Sequence, residues 1–295
     1  MGLASLCQEL ELTHFVDSTE PSRVEEICEE EKEEVLKFLS VRPIHTVYMV
    51  SLIRDNGLTS PRNRGSFYAC RDRYGDLEGV ALLGHATVVE TQSESALMAF
   101  ATMARNCQSH LIRGEQDTIE RFWNYYSSSA KVPRLITREH LLEARQAFSD
   151  QDQSIDLRPA TMADLDNIIS VNASLALQES GINPLQHDVS GFRQRNARRI
   201  EQGRVWVWTE DNRLMFKTDV VAETPQVIYL EGVHVHEEER RKGYGLRGLT
   251  QLSATLLART DSLCLTINDK NKKLQGFYEK AGYQFHSDYQ TIYLR

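Results

Sequence analysis

The chain has 295 residues, long enough for two domains that each bury a core. Its formal charge of −8 is uneven: acidic and basic residues number 24 and 16 in residues 1–154 but 18 and 18 in residues 155–295. That balance argues against a general nucleic-acid binder, no apolar run approaches membrane-span length, and the N-terminus lacks the basic-then-apolar order of a signal peptide.

Residues 1–20 carry no strong pattern. Ser22 reads as the cap of a helix running to about Ser40, with Glu25 to Glu34 as its wet face, Val24, Ile27, Val35, Phe38 and Leu39 behind, and Pro43 as its stop. His45 to Ile53 predicts a second helix, and Gly57, Pro61 and Gly65 mark a loop. Phe67 to Cys70 reads as a strand, Asp72 to Asp76 as a turn, and Leu77 to Val89 as one longer strand. Helices follow at Ser95–Asn106 and Gln116–Tyr126, with a short strand at His110–Ile112 between them and a strand from Arg134 to Leu142 after them. Ser149 to Ser154 is polar enough to be a linker.

The order then repeats. Ile155 to Arg158 reads as a strand ended by Pro159; Thr161, with Asp164 three residues on, caps a helix to Gln178. A helix from Val189 to Ile200 precedes strands at Val205–Trp208 and Leu214–Val221. Tyr229, Leu230, Val233 and Val235 alternate as a strand, Arg240-Arg241-Lys242-Gly243-Tyr244-Gly245 forms a loop, and Leu246, Leu249, Leu252, Leu256 and Leu257 follow at helical spacing. A strand at Leu263–Ile267, a helix at Asn271–Ala281 and a strand at Gln284–Leu294 close the chain. The shared order predicts a duplicated fold in two domains, 1–150 and 155–295.

A strand that runs into cations and glycines and then opens a helix is suited to phosphate: consecutive N–H groups converge, and the helix end adds partial positive charge. Gly243-x-Gly245-x-x-Gly248, with Asp269 at ribose distance, satisfies the dinucleotide fingerprint. His236 to Lys242 intervene before the first glycine, however, and fewer than fifty residues remain after Gly248, too few for a doubly wound sheet. Arg240-x-x-Gly243-x-Gly245 is instead similar to the pyrophosphate loop of the GNAT acyl-CoA transferases. Asn271, seven residues before Tyr278 in Phe277-Tyr278-Glu279-Lys280-Ala281-Gly282-Tyr283, resembles their second signature. The resemblance covers about Ile155 to Arg295.

It implies an α+β fold of tandem GNAT-like domains, each a central, mostly antiparallel twisted sheet flanked by helices, splayed at the acyl-CoA site of the C-terminal domain. The main chain of Val233, His234 and Val235 would take pantetheine; Arg240, Arg241, Lys242, Gly243, Tyr244, Gly245 and Leu246 would take the pyrophosphate of acetyl-CoA, used as cosubstrate. In the first half Glu90-Thr91-Gln92-Ser93-Glu94 stands where cations and glycines would be required, so residues 1–150 form a degenerate copy that does not bind coenzyme A.

Tyr278 sits where the family has a tyrosine near the coenzyme sulfur. A phenol near 10 cannot fully protonate a thiolate near 8.5 without an uphill cost of ~2 kcal/mol, so Tyr278 acts as a hydrogen-bond donor to the leaving thiolate, or else only packs beside Phe277. Asn271 hydrogen-bonds the coenzyme, caps the last helix, or both. An alkylamine near pKa 10.4 is scarcely neutral at pH 7, a penalty of ~4.6 kcal/mol, so a base or water chain is expected. Glu231, with the parity of Val233 and Val235, is either that base or an ion-paired strand residue; His234 and His236 fall on the opposite face. Arg193, Arg195, Arg198 and Arg199 suit a carboxylate-bearing substrate or pair with the acidic first domain. The bland alternative for Arg240 to Lys242 is a solvated basic turn, and Gly248 serves close helix packing.

The expected activity is an acetyl-CoA-dependent N-acetyltransferase acting on an amine; the alternatives are an acyl-CoA-binding sensor or scaffold, and a nicotinamide-binding protein. Cys7, Cys28, Cys70, Cys107 and Cys264 are odd in number and scattered, which indicates free thiols and no metal site. The location expected is cytoplasmic, with no nucleic-acid or membrane partner and a homodimer left open. Leu6 stands where a myristoylation motif wants Ser or Thr.

Overall fold

The computed structural model describes residues 23–127, 132–146, 155–211 and 213–295, so the cap at Ser22 and the linker at Ser149–Ser154 lie outside the described residues. The chain enters through a strand, β1 (Arg23–Glu26), paired with Tyr68 to Arg71, where the sequence predicted helix. Val24 and Ile27 therefore belong to an edge strand and its exit, and Glu25 and Glu26 supply the charge that discourages further pairing at an edge. The helix proper, α1 (Lys32–Leu39), begins later, with Glu31 and Glu34 held by Arg71 at 2.8 and 2.6 Å. Pro43 opens α2 (Pro43–Asn56) instead of ending α1; at the first helical position its missing N–H costs nothing.

β2 (Gly65–Arg71) leads into a second correction, because Leu77 to Val89 is a hairpin and not one strand. β3 (Leu77–Gly84) turns at Gly84 and His85 into β4 (Ala86–Thr91), pairing Leu82 with Val88. A Cβ on Gly84 would stand 2.4 Å from the Arg64 oxygen and from Gly65 Cα, so only glycine fits this turn against β2. α3 (Glu94–Ala104), β5 (Leu111–Glu115), α4 (Gln116–Tyr126) and β6 (Leu135–Ala144) complete the first half.

The second half repeats the order. β7 (Arg158–Pro159) is followed by α5 (Leu165–Ser180), entered through the Thr161–Asp164 capping box and braced by Arg158 on both Asp164 oxygens at 2.9 and 3.0 Å. Next come a short α6 (Pro184–His187), which the sequence reading lacked, and α7 (Val189–Glu201). β8 (Val205–Glu210), β9 (Arg213–Glu223) and β10 (Val227–Val235) precede α8 (Tyr244–Leu257), β11 (Ser262–Asn268), α9 (Lys272–Lys280) and β12 (Gln284–Tyr293).

Among the described residues twelve strands form one sheet in the order β1-β2-β3-β4-β5-β12-β6-β11-β10-β9-β8-β7. Only β4–β5 and β10–β11 are parallel. The two halves exchange their last strands: β6 pairs with β11, β12 pairs with β5, and β6 and β12 pair with each other at the centre. Neither half closes its sheet alone.

Apolar residues cover both faces of the second half. Ile228, Leu230, Leu263, Leu265 and Ile267 pack with Leu249, Leu252 and Leu256 of α8 and with Tyr278 and Ala281 at α9. On the other face Ala222, Val227, Tyr229 and Cys264 meet Ile44 and Val47, so α2 of the first half roofs the sheet of the second. No helix among the described residues is long and apolar enough to cross a membrane.

Candidate active site

The parallel ladder between β10 and β11 stops early. Val227, Ile228 and Tyr229 pair with Ser262, Leu263 and Cys264, and beyond them the strands splay. From Leu230 to Val235 the edge of β10 facing β11 is without a partner strand, and the gap joins the α8–α9 face of the sheet to the α2–α5 face.

β10 also bulges. Glu231 pairs with Asp219 and His234 with Lys217, so two residues, Gly232 and Val233, stand opposite Thr218, and Gly232 has φ +64°. The extra residue reverses the alternation that the sequence reading assumed. Glu231 and His234 share the α2–α5 face, whereas Val233 and Val235 point into the α8 core. Beneath the bulge the buried Lys217 ammonium reaches Asp219 at 2.8 Å, Asn172 of α5 at 2.5 Å and the Gly232 carbonyl at 3.5 Å. Burial pushes Lys217 down and the Asp219 carboxylate holds it up, a pairing that pins the bulge to α5.

After β10 the backbone turns through Arg241 at φ +68° and Gly243 at φ +90°, and α8 begins at Tyr244. Arg247 N–H closes the first helical bond onto the Gly243 carbonyl at 3.1 Å. Among the described residues the N–H groups from Arg241 to Leu246 find no backbone acceptor, which leaves six successive donors at a helix start. Arg240, Arg241 and Lys242 are exposed around them; Arg240 Nε donates to the Val235 carbonyl at 3.3 Å, and Lys242 lies 3.0 Å from Glu239.

The loop, β10 and α9 converge on Gly245. A Cβ there would lie 3.0 Å from Val235 Cγ2 and 3.3 Å from the Phe277 ring, so these three predicted pieces of one site do meet. Gly248 serves packing, since a Cβ would stand 2.6 Å from the Phe216 ring of β9. Tyr278 is buried, edge-on to Phe277 and Tyr283 at 5.0 and 5.8 Å, and burial raises its phenol with help from Tyr283 and Glu179. Asn271 Oδ1 caps α9 by accepting from Leu274 N–H at 3.1 Å.

On the α2–α5 face, Glu231 is ion-paired: its Oε1 lies 3.1 Å from Arg113 of β5. The same guanidinium donates to Tyr229 Oη at 2.6 Å and Thr266 Oγ1 at 2.5 Å, and lies 3.6 Å from Glu139 of β6. Glu179, in the last turn of α5, has its carboxyl pushed up to about 7, first by the surrounding protein and then by the Glu231 charge, with Arg113 opposing. Glu179 is exposed at the surface of α5 and makes no hydrogen bond or ion pair with the described residues. His234 is pushed down to about 4 by burial and by Arg240.

In the first half, Ser93 takes up the corresponding turn. Only Gln92 and Ser93 separate β4 from α3; Ser93 N–H donates to Thr91 Oγ1 at 3.0 Å, Ser93 Oγ caps α3, and Glu90 pairs with Arg42 at 3.1 Å.

The family model described as FR47-like protein matches residues 220–292, the stretch holding β10, the loop, α8, β11, α9 and most of β12. No curated protein matches the chain. Among solved structures, a Drosophila protein aligns over 93% of this chain and 99% of its own with TM-score 0.66 at 12% identity. A GNAT-family acetyltransferase from Colwellia psychrerythraea aligns over 92% and 100% with TM-score 0.58 at 11% identity. A tandem GNAT protein from the clavulanic acid biosynthesis pathway aligns over 91% and 97% with TM-score 0.55 at 11% identity. The fold is that of the GNAT acetyltransferases, in tandem.

The ion pairs of α7 correct the reading of the cationic helix. Arg193, Arg195 and Arg199 pair with Asp166, Asp188 and Asp219, all in the second half, and only Arg198 reaches the first, at Asn56 Oδ1. Arg113, Glu139 and Glu179 were absent from the sequence reading. Glu179 carries a faint signal, standing seven residues after Asn172 on the helix stripe that faces β10. Arg113 carries none, because only the strand exchange brings β5 near β10.

Proposed function

We propose that the protein is an N-acyltransferase that moves an acetyl or short acyl group from acetyl-CoA to a primary amine, of a small molecule or a protein, by direct attack within a ternary complex. The observation that supports this reading best is the run of unengaged amides from Arg241 to Leu246 beside three exposed cations at the start of α8. Those amides, with Arg240, Arg241 and Lys242, would hold the diphosphate, and the strand edge of Val233, His234 and Val235 would take the pantetheine amides as an added strand. The Asn271 side-chain NH2, left over from the helix cap, is available to the same ligand. The thioester supplies an acyl carbon open to attack.

The protein's own groups handle the protons. An alkylamine must lose its proton at a cost of ~4.6 kcal/mol at neutral pH, and a carboxylate titrating near neutrality is matched to accept it. Glu179 has that property, whereas Glu231 is committed to Arg113 by one oxygen and offers the other to orient the ammonium. Tyr278 is held too high to surrender its proton to the thiolate, so it stabilises the leaving sulfur by donating a hydrogen bond. The first half, whose two-residue turn lies between Glu90 and Glu94 and carries no cation, binds no coenzyme A in this reading.

Thiol release from acetyl-CoA across a panel of primary amines tests the proposal. Tyr278→Phe is expected to lower the rate about ten- to a hundredfold while calorimetric acetyl-CoA affinity stays within twofold. Acetyl-CoA binding with no thiol release on any amine, or a Tyr278→Phe variant as fast as wild type, contradicts it.

A further inference from the structure

We infer that the first half is a working part of the acceptor side of the site, and that Arg113 is the positioning residue it supplies, clamping β10 to β11 at the mouth of the gap and fixing Glu231. The inference rests on the transferase reading above. The ladder between β10 and β11 ends at Tyr229 and Cys264, and the Arg113 guanidinium bonds Tyr229 on one strand and Thr266, two residues past the last pair, on the other. Its other arm holds Glu231 at 3.1 Å, just before the bulge. One side chain from β5 thus sets the spacing of the gap where the two faces of the sheet communicate.

The charge around it has the same origin. Glu139 on β6 also comes from the first half and lies 3.6 Å from Arg113. Tyr48 of α2 feels the charges of Glu231, Arg199, Arg64 and Arg113. The groups whose charges reach Glu179 are Glu231 on β10, Arg113 on β5, Glu139 on β6 and Lys217 on β9, and Glu179 in turn raises Tyr278 on α9 and Tyr293 on β12. Among these Arg113 is the cation nearest the two strand carboxylates. Without it, Glu231 and Glu139 act on the Glu179 carboxyl with Lys217 left to oppose them, and the Glu179 proton is held more tightly.

The test uses the full chain and two substitutions, Arg113→Gln and Arg113→Lys, with the Glu179 carboxyl followed by carbon NMR, acetyl-CoA binding by calorimetry and thiol release with the same amine panel. Arg113→Gln is expected to raise the Glu179 titration by about one unit or more and to cut thiol release at least thirtyfold, with acetyl-CoA affinity within threefold. Arg113→Lys is expected to return the titration to within half a unit of wild type while the rate stays below it, since an ammonium cannot span both strands and Glu231 together. A titration and a rate both within twofold of wild type in Arg113→Gln overturn the inference. If that variant does not fold, Tyr229→Phe removes one anchor and keeps every charge; a rate reduced about fivefold with the titration unmoved supports the clamp, and an unchanged rate overturns it. Wild-type protein that gives no heat with acetyl-CoA removes the transferase reading itself, a result distinct from wild-type binding with an indifferent Arg113 variant.

Discussion

Glu179→Gln is expected to lower kcat/KM for acyl transfer at pH 7.5 by about a hundredfold or more, the usual loss when a positioned base is removed. The pH profile carries the sharper signature. Glu179 must be unprotonated to accept the ammonium proton, and its carboxyl sits at about 7, so wild-type activity should fall about tenfold per unit of pH below that value. The glutamine variant keeps the shape of the side chain and has no group to titrate, so that limb should vanish. Glu231→Gln should instead keep the limb near 7 or move it downward, because removing the Glu231 charge relieves the repulsion that helps to raise Glu179. A Glu179→Gln enzyme that keeps both its rate and its acid limb contradicts the assignment. Steady-state thiol release between pH 5.5 and 9 decides between these outcomes.

Gly245→Val should abolish tight coenzyme binding, weakening the calorimetric Kd for acetyl-CoA at least a hundredfold, or ~2.7 kcal/mol. The first carbon added at Gly245 already stands 3.0 Å from Val235 and 3.3 Å from Phe277, and valine adds two methyl groups to that contact. The loop must then move away from β10 and α9, the two elements that meet it at Gly245. Overpacking of this kind costs ~1–3 kcal/mol of stability, so a modest fall in Tm should accompany a much larger loss of binding. Gly243→Ala is the control: a Cβ there meets nothing within 4 Å, and only the φ of +90° is strained. It should weaken binding far less than Gly245→Val. Equal losses in the two variants, or an unchanged Kd in Gly245→Val, contradict this account of the loop.

Much of the second half was legible because its signals are local. Cations and glycines between a β-branched strand and a leucine-periodic helix specify a strand, a turn and a helix start, and the amides left over follow from helix geometry. The failures are where a local rule met a tertiary one. Glu25 and Glu26 look like helix residues until β2 offers them Ala69 and Tyr68 as ladder partners, and Pro43 stops one helix by the same property that lets it begin another. Gly84 within an apolar run conceals a hairpin, since it is the approach of Gly65 that makes glycine obligatory there. The period-two reading of Glu231 failed at Gly232, where a bulge pinned by Lys217 turns the carboxylate to the other face. Arg113 lay beyond any local reading, as it sits 118 residues from Glu231 and meets it only because β6 and β12 trade places.

The claim on which the functional reading depends is that the amides from Arg241 to Leu246 grip a diphosphate. Backbone amide spectra of the intact protein titrated with acetyl-CoA test it directly. The account predicts that the Arg241 to Leu246 resonances shift together with those of Val233 to Val235 while Gln92 and Ser93 stay in place. Shifts confined to other residues, or amides from Arg241 to Leu246 that do not move when acetyl-CoA binds, would contradict it.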